Sequence, residues 1–167
     1  MKLHIYRRGF QDAVIKDESK TESLYFVDFP MSFFGSWTIT IHGGLNNTFP
    51  AVATIDKRTF SWDMTITDCV TGYKTMLVKS GIFTRKHAFR GENGVEYAWK
   101  GSGFGGDLKL VAYPDKHTVL AYYNRSMFAF RKEGTLDVDN SMEPMIRIVL
   151  ATGFAVEEWE RQQRNNG

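Results

Sequence analysis

The chain has a single cysteine, Cys69, in 167 residues, so no internal disulfide staples it and its core must hold it together. That thiol suits a reducing compartment and reads as a small buried hydrophobe. Charge of one sign is equally scarce: 21 Lys and Arg against 19 Asp and Glu leave a formal net charge of +2. Nucleic-acid binders need a concentrated basic face to displace counterions, so no nucleic-acid partner is expected. The first eight residues contain Lys2, His4, Arg7 and Arg8 and lack the continuous apolar stretch of a secretory signal. A cytoplasmic protein is therefore expected, peripheral to a membrane at most.

The motifs of catalysis and metal binding are missing as well. His4, His42, His87 and His117 are dispersed, with no H-x-H, H-E-x-x-H or cysteine pair beside them, and read as surface or strand histidines. There is no G-x-S-x-G, and Cys69 has no local nucleophile signature. Gly101-Ser102-Gly103-Phe104-Gly105-Gly106 satisfies G-x-G-x-x-G, but the segment after it reads as a strand where a dinucleotide site needs a helix. It is expected to be a hairpin loop. No catalytic residue, metal site or cofactor is expected.

What is present is alternation. Aromatics make up 14% and hydrophobic residues 43% of the chain, which places it among globular proteins large enough to bury roughly two thirds of their unfolded surface. From Leu24 to Val138 apolar and polar residues alternate with period two, as in strands with one buried face. Ala51, Ala53 and Ile55, then Phe60, Trp62, Met64 and Ile66, read as a hairpin joined at Lys57-Arg58. Trp37 to His42 and Val95 to Lys100 give further strands. So do Leu3 to Arg7, Leu24 to Phe29, Tyr73 to Val78, Asp107 to Tyr113, Thr118 to Tyr123, Met127 to Lys132 and Thr135 to Val138. Turn formers separate them, and no linker, repeat or low-complexity segment interrupts residues 1–167, which read as one domain.

After Asp139 the pattern changes. Ser141 is placed to cap a helix, Glu143 suits its first turn and Pro144 is tolerated there. Met145, Ile146, Ile148, Val149, Leu150, Ala151, Phe154, Ala155 and Val156 surround the helix axis with no polar face, which marks a helix buried on all sides. From Met145 to Val156 it would span about 18 Å against roughly 30 Å for a bilayer core, so no transmembrane span is expected. From Glu157 onward it should emerge into water. The fold class is thus mainly β: a closed antiparallel β-barrel of about twelve strands around a buried C-terminal α-helix.

Thr135-Leu136-Asp137-Val138-Asp139, followed by Met145-Ile146 and Ala151-Thr152-Gly153-Phe154-Ala155, resembles the last strand and central helix of phospholipid scramblases. The architecture is similar to the tubby C-terminal-like fold, shared by tubby proteins, scramblases and the LURP-one-related proteins of plants. Small fungal proteins of this fold show a similar pattern, including Phe60 and Trp62. Scramblases carry an acidic calcium-binding segment before the helix. Here that stretch holds only Asp137, Asp139 and Glu143, without the turn glycine and twelfth-position glutamate of an EF-hand loop, so a strand end and helix cap are expected.

Two functions from different classes follow. The resemblance implies docking on anionic phospholipid or phosphoinositide headgroups, through the basic cluster Arg85, Lys86 and Arg90, because guanidinium and ammonium groups bond phosphate oxygens. Arg7, Arg8, Lys57, Arg58 and Lys100 would add to it, but a solvated strand edge that discourages aggregation is the preferred reading of the cluster itself. The alternative function is a protein-binding or self-associating scaffold using Phe33, Phe34, Tyr122 and Tyr123. A lipocalin-like carrier would need the space the helix fills. Arg147 stands alone in the apolar helix: if buried it needs a carboxylate, for example Asp28, Asp63 or Glu96, and the mouth of the barrel is the preferred place for it.

Overall fold

Alternation decides which way each strand faces, and the barrel is the surface on which all the inward faces meet. The computed structural model describes residues 1–9, 11–29, 35–80, 86–101, 106–113, 115, 117–125 and 133–165. Within them run β1 (Lys2–Arg8), β2 (Asp12–Lys16), β3 (Ser23–Asp28), β4 (Trp37–His42), β5 (Ala51–Lys57) and β6 (Met64–Asp68). These are followed by β7 (Lys74–Lys79), β8 (Lys86–Arg90), β9 (Glu96–Gly101), β10 (Leu108–Ala112), β11 (Val119–Asn124) and β12 (Glu133–Val138). Each strand pairs antiparallel with its neighbours in sequence, and β1 pairs with β12 to close the sheet. Closure leaves no strand edge open to another chain.

Trp37, Ile39, Ile41, Ile55, Ile66, Leu77, Trp99 and Leu110 point inward and are buried. The volume they enclose is occupied by α1 (Ile146–Asn165), entered through a 3-10 turn, Asn140–Met145. Ile148, Val149, Leu150, Ala151, Phe154, Ala155 and Val156 are all buried, on every side of the helix. No helix among the described residues is long and apolar enough to cross a membrane.

The helix is seated by polar as well as apolar contacts. The buried indole of Trp99 donates from Nε1 to Thr152 Oγ1 at 2.8 Å, and that hydroxyl donates to the Ile148 carbonyl at 2.7 Å. Gly153 lets the same ring approach, since a Cβ there would lie 3.3 Å from the indole. Thr152→Val keeps the shape and strands a buried N–H. It should cost about 1–3 kcal/mol in chemical denaturation, and an unchanged midpoint would show that Trp99 finds another acceptor.

Several expectations are corrected. Asp139, whose side chain accepts from Ser141 N, caps the 3-10 turn in place of Ser141, because it holds the extended backbone of a cap. Cys69 is exposed, since it follows the last inward residue of β6 in a turn. The β5–β6 hairpin is wider than expected. Lys57 pairs with Met64, leaving residues 58–63 as a loop, so Phe60 and Trp62 belong to no strand. β2 and β8 went unrecognised because each offers only two inward residues, Ala13 and Ile15 or His87 and Phe89. The strand expected at Met127 to Lys132 lies outside the described residues, as do Ser102 to Gly105.

Candidate functional site

In a barrel whose strands run alternately up and down, every second connection lies at the same end. The ends of β1, β3, β5, β7, β9 and β11 and the starts of the strands that follow them therefore lie at one mouth, and the C-terminal half of α1 rises into it. The helix does not emerge at Glu157 as expected: Glu158, Trp159 and Glu160 are buried. Inward-facing cations on the strand ends make this possible. Arg7 lies 3.2 Å from Glu157, and Arg125 Nη1 lies 2.7 Å from Glu160 Oε2. Burial disfavours the charged Arg7 guanidinium and is the largest single influence on it, but the field and hydrogen bond of Glu157 together with the fields of Tyr123 and Glu158 outweigh it and raise its pKa. Glu158 is held by Arg161 and by Gln162 Nε2 at 3.0 Å, and Gln162 Oε1 accepts from the buried indole of Trp37 at 3.0 Å. Each buried carboxylate thus has a partner, which offsets its desolvation.

Arg147 sits at the opposite mouth, about a quarter exposed, and is paired as well. Its Nε donates to both oxygens of Asp68, at 3.0 and 2.9 Å. None of Asp28, Asp63 and Glu96 is the partner, because Asp68 is the last inward residue of β6 and lies level with the first turn of α1.

A second group at the first mouth is aromatic and cationic. Lys79, the last residue of β7, lies with Nζ 4.5 Å from the Trp159 ring centroid and 5.4 Å from that of Trp62. The two indoles are 6.3 Å apart. Beneath them His87 is fully buried, its ring 5.1 Å from Trp159 and edge-on to it. Neither imidazole nitrogen has a hydrogen-bond partner. Burial, with the nearby Lys79 charge, lowers its pKa from 6.5 to about 4, so His87 is neutral at physiological pH. It is a core histidine on an inward strand position, where the sequence pointed to a surface or strand residue without distinguishing them.

The basic cluster divides. Arg85 lies outside the described residues. Lys86 and Arg90 share the outward face of β8 but stand at its two ends, about 13 Å apart. Arg90 is in register with Glu96, whereas Lys86 is in register with Lys100, and Lys100 with Lys109. The structure therefore builds a row the sequence did not: Lys86, Lys100 and Lys109 on three adjacent outward strand positions about 4.8 Å apart. Lys86 Nζ lies 3.9 Å from the Tyr113 ring centroid and Lys109 Nζ 5.9 Å from that of Tyr122. The row borders the same mouth as Lys79, and only knowledge of the β8–β9–β10 register could have found it.

The aromatics expected at an interface separate in the same way. Tyr123 points inward, is buried and donates to Glu157, and burial first and Glu157 second push its pKa well up. Tyr122 faces outward and donates to Asp107. Phe33 and Phe34 lie outside the described residues. Among the described residues the most exposed aromatics are Phe60 and Trp62, on the β5–β6 loop, and Phe49, on the β4–β5 connection at the opposite mouth, is exposed as well.

Among the described residues no group of three or more His, Cys, Asp or Glu is placed to hold a metal ion. Asp137 lies 3.9 Å from Lys2, and Asp139 is engaged as a cap. Two open clefts formed by described residues, of about 330 and 500 Å³, are lined in part by the outward faces of strands. The fold and site define a closed twelve-stranded barrel filled by its own C-terminal helix, with Phe60, Trp62, Lys79 and the lysine row at one mouth. A family model described as a family of unknown function, DUF6593, matches residues 10–162, and the chain belongs to that family. No curated protein and no solved structure matches it.

Proposed function

We propose that the protein is a binding module that docks on the anionic phospholipid headgroups of a membrane surface through the cationic rim of this mouth. The carrying observation is the lysine row. Like charges directly opposed across strands destabilise a sheet, yet Lys86, Lys100 and Lys109 are aligned in one register on β8, β9 and β10. A headgroup phosphate bridging them would turn that repulsion into charge-assisted hydrogen bonds. Lys57 and Arg58 at the end of β5 and Lys79 at the end of β7 extend the positive rim toward the exposed aromatics. The resemblance of the last strand and central helix to scramblases, and of the architecture to tubby-like domains, supports the same reading. Because α1 fills the barrel, the ligand-contacting surface in this reading is the exterior.

Co-sedimentation with phosphatidylcholine vesicles, with and without phosphatidylserine, tests the proposal. The protein should sediment only with the anionic vesicles, and binding should weaken steeply as salt is raised. The triple variant Lys86→Glu, Lys100→Glu, Lys109→Glu should lose binding while melting normally, since exposed charges contribute little to stability. Arg90→Glu, at the far end of β8, should bind as the parent does. Wild-type protein that ignores anionic vesicles at low salt would overturn the reading.

A further inference from the structure

The β5–β6 loop carries a combination that folding alone does not require. Arg58, Thr59, Phe60 and Ser61 form a turn closed by a hydrogen bond from Ser61 N to the Arg58 carbonyl at 3.2 Å. Phe60 occupies its third position with φ of 63°, a conformation that glycine or asparagine normally supplies and a bulky side chain resists. Its side chain is 99% exposed. Two residues on, Trp62 is 60% exposed and rests on Trp159 of the central helix and on Lys79.

The loop is nevertheless held in place. Lys57 Nζ donates to the Gly35 carbonyl at 3.0 Å, and Ser61 Oγ and Asp63 exchange hydrogen bonds at 3.2 and 3.1 Å. Asp63, the loop's one acid, is only partly exposed. Beside the loop lies the 500 Å³ cleft, lined by Lys57, Arg58 and Lys74 and by Thr38, Thr65 and Asp56, with Thr38 Oγ1 donating to Asp56 at 2.7 Å. An apolar tip is thus mounted beside Lys57 and Arg58 on the same mouth as the lysine row, while Lys74 lies three residues further from that mouth, in register with Thr67.

We infer that the 58–63 loop is a membrane-inserting element: Phe60 enters the acyl boundary of an anionic bilayer, Trp62 lies at the headgroup level, and Lys57 and Arg58 meet the phosphates. The charge complementarity selects the occupant. Aromatic rings prefer the membrane interface, and basic residues near an anionic leaflet add to the attraction. A single inserted ring gives weak, reversible binding, so it works together with the cationic rim. The inference rests on the lipid-docking reading and adds penetration to it.

The test compares the wild-type chain with Phe60→Gly on phosphatidylcholine–phosphatidylserine vesicles, using brominated acyl chains as a quencher of indole fluorescence. Trp37, Trp99 and Trp159 are buried, so the quenched emission reports Trp62. Glycine suits the positive φ, so the variant should melt no lower than the parent. It should bind about tenfold more weakly, and wild-type emission should be quenched on binding. Equal affinity of the two proteins with unquenched emission would overturn insertion and leave surface docking standing. Absence of any binding by the wild type would overturn both.

Discussion

Truncation of the chain after Ser141 should abolish cooperative unfolding, leaving protein that binds hydrophobic dyes and aggregates at room temperature. Removing α1 takes away the helix that fills the barrel. Ile39, Ile41, Ile55, Ile66, Leu77, Trp99 and Leu110, now fully buried, would line an empty lumen, and a packed interior cannot be replaced by water around apolar walls. Single substitutions scale the effect. Phe154 meets Phe29 and Tyr123 edge-on, with ring centroids 5.8 and 6.2 Å away. Phe154→Ala should cost about 3–5 kcal/mol and Leu150→Ala about 2–5 kcal/mol, through lost burial and a residual cavity. Trimming from the other end has a sharper limit than the polar composition of the tail implies. Removal of 163–167 should leave the melting temperature unchanged, whereas removal of Gln162 also strands the Trp37 indole N–H that it accepts. A chain truncated at Ser141 that still melted cooperatively near the parent temperature would show the helix to be dispensable.

The second large effect is a pH dependence centred on His87. Its folded pKa is about 4 against 6.5 for an ordinary histidine, owing to burial and then to Lys79. Between those values the unfolded chain binds a proton that the folded chain does not, so stability rises with pH there. The contribution is complete above about pH 6.5, declines as pH falls through that value and levels off below about 4. Its full size is about 3 kcal/mol, each pKa unit being worth about 1.4 kcal/mol. The lowered pKa values of Glu133 and Asp139 act in the opposite sense to a raised carboxylate. Their stabilisation is lost only at more acidic pH, as each falls through its own folded value. His87→Leu should therefore flatten the stability profile between pH 4 and 6.5. At pH 7 it should leave stability equal or higher, because neither ring nitrogen loses a hydrogen bond. Urea titrations of both proteins across that range decide it. An unchanged slope in the variant would place the dependence on other groups.

Much of this architecture could be read from local pattern. Period two in Trp37, Ile39 and Ile41, and a helix apolar around its whole circumference, each state which faces must leave water, and a closed barrel around that helix is the arrangement that satisfies both. The local signal failed where few residues carried it, at β2 and β8. It also misled at Phe60 and Trp62, whose alternation continues that of Met64 and Ile66 past the rim where pairing stops. Composition alone could not place Cys69, which alternation leaves one position beyond the buried Asp68.

The pairings across the barrel belong to the tertiary structure. Glu157, Glu158 and Glu160 look like a helix leaving the protein, because a carboxylate signals water unless its partner is known. Two of those partners, Arg7 and Arg125, lie more than thirty residues away in sequence. Asp68 reaches Arg147 over a separation of 79 residues. The basic residues followed the same rule: Lys86 and Arg90 are close in sequence, but β8 sets them at its two ends. Register brings Lys86, Lys100 and Lys109 side by side. A sequence records the period of each strand, and hence its buried face. Which residue of the next strand stands opposite is fixed only when the sheet closes around its helix, since that alignment is set by the summed packing of the whole lumen.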